Sequence, residues 1–117
     1  MSGLTSYQGG LAAEGSVERH YLARAYELVA TRWRSKAGEI DLILRKNDVV
    51  VFVEVKKSKS IARAAEMLNP SQIARIYTAA QIFLEGEPDG QNTPARFDVA
   101  LVGPSGEIEI LKNAIQP

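Results

Sequence analysis

Asp41, Glu54 and Lys56 stand in the one stretch of this chain whose residue types and spacing suggest chemistry. Residues 39–56 read Glu-Ile-Asp-Leu-Ile-Leu-Arg-Lys-Asn-Asp-Val-Val-Val-Phe-Val-Glu-Val-Lys. The run Val-Val-Val-Phe-Val at 49–53 is apolar at every position, which marks a strand covered on both faces. Strand side chains alternate, so Glu54 and Lys56 at its end point the same way. Charges at the end of such a strand are costly unless paired or bound to something. Asp41 falls on the preceding strand. Two carboxylates on neighbouring strands, with a lysine beside them, suit a divalent metal and a positioned water, which is phosphodiester-cleaving chemistry. The plainer rival is a same-face ion pair on an exposed strand, the better reading of any isolated Glu-x-Lys. The upstream acid and the buried run weigh against it here.

Those side chains need a scaffold, and the pattern supplies one. Residues 1–9 are small and polar and are expected to be flexible. A helix is expected over about 11–25, with Ala13, Val17, Tyr21 and Leu22 on one side. A strand follows over 26–33, with Leu28 and Ala30 alternating against Glu27 and Thr31. A turn at 35–38 leads to strands over 39–45 and 49–57, joined through Asn47-Asp48. Residues 61–68 are helix-prone but short. Asn69 suits an N-cap, Pro70 the first helical position and Gln72 the third, opening a helix whose apolar stripe is Ile73, Ile76, Tyr77, Ala80, Phe83 and Leu84, with Gly86 as C-cap. Two last strands are expected at 96–102 and 108–112. The order predicts a single α/β domain, a mixed sheet with helices against it.

Composition excludes several classes. The chain has 117 residues, about one domain, and 45% hydrophobic residues suffice for a core. With no Cys and one His, disulfides, thiolate sites and ordinary zinc sites drop out. No apolar run approaches a membrane span and no signal-peptide core is present, so the expectation is a cytoplasmic protein without membrane contact. The formal net charge of zero hides an asymmetry. Residues 19–75 carry 12 basic and 6 acidic side chains, while 76–117 carry 2 and 6. The candidate site therefore lies in the basic segment, which fits an anionic partner.

Three blocks carry a family resemblance: Gly38-Glu39-Ile40-Asp41-Leu42-Ile43, Phe52-Val53-Glu54-Val55-Lys56, and Arg96-Phe97-Asp98-Val99. In this order they resemble the YraN-like family of uncharacterised bacterial proteins, over residues 10–114. That family is similar to restriction-endonuclease-like nucleases and archaeal Holliday-junction resolvases. The resemblance implies a three-layer α/β/α core around a mixed five-stranded sheet, and an acid, acid-x-Lys nuclease site. Asp41 is then the first strand acid, Glu54 the second and Lys56 the lysine. The helical Glu of such sites corresponds best to Glu14, with Glu18 as the second choice. Ser71 stands where the family often has a basic residue, so the resemblance supplies no phosphate grip there.

In roles, Asp41, Glu54 and the Val55 carbonyl would hold Mg²⁺ or Mn²⁺, with Glu14 reaching it through water. Lys56 would orient the attacking water or steady charge on the phosphate. Gln72 would hydrogen-bond that water or a phosphate near a positive helix end, although a capping box with Asn69, the plainer reading, explains it without any catalysis. Lys57, Lys59, Arg63 and Arg34 are the expected nucleic-acid contacts. Structural roles are expected for Glu39, paired with Arg34 or Lys36, and for Arg96 and Asp98; Trp33 reads as core and His20 as solvent-facing. The expected partner is DNA, branched or damaged DNA included, with a homodimer left open. The alternative is a catalytically silent nucleic-acid-binding or protein-interaction module on the same fold.

Overall fold

The computed structural model describes residues 3–66 and 68–114. Helix α1 (Gly3–Leu22) precedes strands β1 (Glu27–Ser35), β2 (Gly38–Lys46) and β3 (Val49–Lys57). Helices α2 (Ile61–Glu66) and α3 (Pro70–Leu84) follow, then β4 (Ala95–Val102) and β5 (Ile108–Leu111). The strands lie side by side in chain order, antiparallel throughout except where β3 pairs β4 in parallel. A parallel pair needs a long crossover, and α2 and α3 provide it. The sheet is therefore mixed and five-stranded, as expected.

The two faces of β3 feed two different layers. Val51 and Val53 join Leu42, Leu44, Ala100 and Val102 under Ala13, Val17 and Tyr21 of α1. Val50 and Phe52 join Ile43 under Ala79, Ala80 and Leu84 of α3, with Trp33 packed against them. Phe83 of α3 sits edge-on to both Trp33 and Phe52, at 5.4 and 5.7 Å between ring centres. Trp33 is thus a core side chain. This is an α/β/α sandwich with β3 buried on both faces, the architecture of a restriction-endonuclease-like core.

Local chemistry sets the boundaries. Asn47 and Asp48 both adopt positive φ, 51° and 67°, giving the two-residue turn whose twist suits a hairpin. Asn69 Oδ1 accepts the Gln72 N–H at 2.9 Å and Pro70 opens α3. Several expectations need correction. The first helix starts at Gly3 and not at about Leu11; Met1 and Ser2 lie outside the described residues. It stops at Leu22, because Ala23–Ala25 form a turn closed by Ala25 at φ 68°, and Leu22 is 42% exposed. In β1 an irregularity between Leu28 and Ala30 breaks the expected alternation and leaves Leu28 and Val29 exposed. Gly86 is not a left-handed cap; α3 ends at Glu85 in right-handed geometry, and the Gly86 N–H bonds Phe83 O. His20 is half-buried against the Tyr21 ring and not solvent-facing.

Two carboxyl side chains are buried among the described residues, Glu54 and Asp98. Asp98 of β4 has no exposure. Its carboxylate accepts hydrogen bonds from Tyr21 Oη at 2.8 Å, Arg96 Nε at 2.9 Å, Arg96 Nη2 at 3.1 Å and the Asn113 N–H at 2.9 Å. Arg96 also donates to Tyr26 Oη at 2.6 Å. The expected structural role of Arg96 and Asp98 is what the geometry displays. Removing the carboxylate would leave a half-buried guanidinium and a buried phenol without their acceptor. Asp98→Ala should therefore lower unfolding free energy in urea by roughly 3–5 kcal/mol, and Tyr21→Phe, which leaves one acceptor short, by about 1–3 kcal/mol.

Candidate functional site

Asp41 lies where the sheet comes apart. Pairing between β2 and β3 stops at Leu42 opposite Val53, so the next two residues, Asp41 and Glu54, lie beyond the ladder. Asp41 Oδ2 instead accepts the Val55 N–H at 2.8 Å. Ile40 and Leu42, two residues apart, belong to opposite layers of the core, so the facing of β2 switches at Asp41. On the other side Arg32, between the pairs Thr31–Leu42 and Trp33–Ile40, lies across from Asp41 with φ 49°. A non-glycine residue there costs about 1–3 kcal/mol and persists only when its surroundings impose it. The splayed strands let one carboxylate meet residues from both helical layers.

Glu54 is the buried partner, 8% exposed, and lies close enough to Asp41 for the two carboxyl groups to interact. Burial first, then Asp41, push its carboxyl up to about 9, against a smaller opposing pull from Lys56. Glu14 reaches the group from α1. Its carboxyl is raised by burial and by the charges of Asp41 and Glu39, while Arg32 Nε, 3.0 Å from Glu14 Oε1, pulls the other way. Glu14 and not Glu18 is the helical acid whose charge reaches Glu54. Lys56 is half-buried beside Glu54.

These groups border a cavity of about 410 Å³, lined by Asp41 and Glu54, by residues 35–39 of the β1–β2 hairpin, and by Gln72, Arg75 and Ile76 of α3. The Gln72 N–H donates to the Asn69 side chain that caps α3, and Gln72 also lines the cavity. Glu39 pairs with Arg34 at 3.2 Å, and Arg34 is 80% exposed. Lys57, Lys59 and Arg63 are exposed, Arg63 lying 3.8 Å from Glu66; none of these three, nor Arg34, lines the cavity. Sequence reasoning missed Arg75 and the part played by Arg32. Arg75 was within reach, since it follows Gln72 by three residues on the same helical face. Arg32 had no signal, because its role depends on a positive φ in mid-strand.

Among the described residues no group of three or more His, Cys, Asp or Glu side chains is disposed to hold a metal ion. The donors present are paired hard carboxylates on a polar cavity, which fits a magnesium-type ion held by two carboxylates that keeps its waters.

Over residues 13–102 the sequence matches the model of Uncharacterised protein family UPF0102. The chain belongs to that family. It is similar to a UPF0102 protein of Ruegeria pomeroyi, 56% identical over 96% of this chain and 91% of the relative. One from Roseobacter denitrificans is 51% identical over 97% and 88%. Another from Cereibacter sphaeroides is 54% identical over 97% of each. This family assignment agrees with the YraN-like resemblance of the three sequence blocks. No helix among the described residues is long and apolar enough to cross a membrane.

The raised Glu54 carboxyl has a signed consequence for stability. Between the ordinary value of 4.5 and about 9 the folded protein holds a proton that the unfolded chain has released. Its contribution is fully present below 4.5 and is lost as pH rises through about 9. Without divalent metal, stability should fall across that window by up to roughly 1.4 kcal/mol per pH unit. Denaturant titrations at successive pH values should display this slope in the wild type. Glu54→Gln, uncharged throughout, should flatten it.

Proposed function

We propose that this chain is a metal-dependent endonuclease that hydrolyses phosphodiester bonds in DNA, using Mg²⁺ or Mn²⁺. The observation that carries the reading is the buried Glu54–Asp41 contact at the mouth of the split sheet, with Glu14 and Lys56 beside it and a cavity in front. Two adjoining carboxylates taken from water need a proton or a cation. A bound divalent ion would lower the pKa of a water and offset charge on the phosphate. Asp41 and Glu54 would hold the ion with the Val55 carbonyl, and Glu14 would act through water. Lys56 would orient the attacking water or stabilise the charge that develops on the phosphate as the P–O bond breaks. Gln72 would hydrogen-bond the same water or a neighbouring phosphate.

The exposed Lys57, Lys59, Arg63 and Arg34 would meet the DNA backbone around the cavity, on branched or damaged DNA included. Cytoplasmic location and a homodimer belong to the same reading. A catalytically silent nucleic-acid-binding module on this fold is the competing one. The absence of a three-ligand group among the described residues is what favours it.

Two measurements separate them. Millimolar Mn²⁺ or Mg²⁺ should stabilise the wild type, by about 2.7 kcal/mol at 100-fold over Kd, and Asp41→Asn should abolish the shift. Lys56→Ala should keep the shift and lose about 10²–10³-fold in cleavage rate. A melting temperature indifferent to Mn²⁺, with DNA binding intact, would leave the silent module standing.

A further inference from the structure

Arg75 is a cation at the cavity that no role above employs. On α3 it follows Gln72 by three residues, and both side chains line the cavity with Asp41 and Glu54. The hairpin bearing Lys36 forms the facing wall, close enough that a Cβ built on Gly38 would lie 3.9 Å from Arg75 Cβ. The other arginines near the site have carboxylate partners: Arg32 has Glu14 and Arg34 has Glu39. Arg75 has none among the described residues. Nor can its helix supply one, because the neighbours three and four positions away are Ser71, Gln72, Thr78 and Ala79. It shares its cavity with three acids, Glu39, Asp41 and Glu54, yet forms an ion pair with none of them. The Arg75 guanidinium and the Lys36 ammonium thus line one cavity with Asp41 and Glu54, as hydrogen-bond donors with no acceptor function of their own.

We propose that Arg75 grips a backbone phosphate of DNA at the cavity mouth, with Lys36 on the opposite wall, and so holds the diester over Asp41 and Glu54. The nuclease reading identifies the anion as a nucleic-acid phosphate. The planar guanidinium offers two parallel N–H donors to two phosphate oxygens, which an ammonium cannot match. Contacts of this kind position the substrate and carry no sequence information.

The test is fluorescence-anisotropy titration of labelled single-stranded, duplex and four-way-junction DNA, in Ca²⁺ to hold turnover back, over a range of salt. Arg75→Ala should weaken binding about tenfold on all three DNAs and make the salt slope shallower by about one. Arg75→Lys should recover only part of the loss. Alanine is a good helix former, so the fold and the Mn²⁺-induced thermal shift should be retained in Arg75→Ala. Wild-type affinity in Arg75→Ala would overturn the proposal, as would the absence of wild-type DNA binding at low salt. The two readings fail separately. DNA binding that depends on Arg75, without any Mn²⁺ shift, would sink the nuclease and keep the grip. A normal Mn²⁺ shift with Arg75-independent binding would do the reverse.

Discussion

A single buried carboxylate holds the layers in the relation the site requires. Asp98 is surrounded by core, and a carboxylate there is tolerable only when its lone pairs are met. They are met by Tyr21 from α1, by Arg96 two residues earlier on β4, and by the Asn113 N–H beyond β5. Each donor comes from a different part of the chain, so the network fixes how α1 lies across the sheet. Tyr21 is seven residues after Glu14, about two helical turns, on nearly the same face. Fixing one end of that face fixes where Glu14 arrives. The apolar contacts of Ala13 and Val17 supply attraction without direction, whereas the Tyr21 hydrogen bond supplies direction.

The site itself is a controlled failure of sheet pairing. Had the β2–β3 ladder continued past Leu42 and Val53, backbone groups would have filled the space where Asp41 and Glu54 meet. Asp41 takes over the Val55 N–H and so replaces a backbone acceptor with a side chain, which occupies one of its two oxygens. The buried donor stays satisfied while the strands diverge. Arg32 completes the distortion from the other side, in a conformation that an unconstrained arginine avoids. Its guanidinium on Glu14 ties the distorted segment to α1. A stable core on either side of β3 supports this local departure from regular pairing.

The split explains what could be read from the sequence. Strand β3 was legible because five consecutive apolar residues admit few other environments, and the hairpin at Asn47-Asp48 because those residues accept positive φ. Helix α3 announced itself through Asn69 and Pro70. Asp41, Glu54 and Lys56 were singled out by residue type, strand alternation and the family blocks together. What stayed hidden depends on tertiary geometry: the bulge that exposes Leu28 and Val29, the twist at Asp41 and the positive φ of Arg32. Glu14 was already preferred to Glu18 through the family resemblance, and its charge reaching Glu54 agrees with that choice. The start of α1 was missed because the glycines and small polar residues before Leu11 argue locally against a helix.

Charge counted along the chain also differs from charge available at the site. The segment from Arg19 to Arg75 has twice as many basic as acidic residues, yet much of that excess is engaged. Arg32, Arg34 and Arg63 face carboxylates, and Arg45 holds Glu87 at 2.6 Å. Arg24 and Lys46 donate to the carbonyls of His20 and Arg24 at the end of α1, where cations offset the negative pole of the helix. An approaching polyanion would meet the cations the fold leaves over, and these are not spread evenly. Lys36 and Arg75 line the cavity and Lys56 lies beside Glu54. Lys57 and Lys59 stand exposed just past the end of β3. Pairing thus converts a diffuse basic segment into a few cations gathered around two carboxylates, an arrangement that the proposed phosphodiester chemistry would use: attraction at the rim, and acids at the floor that would hold a cation.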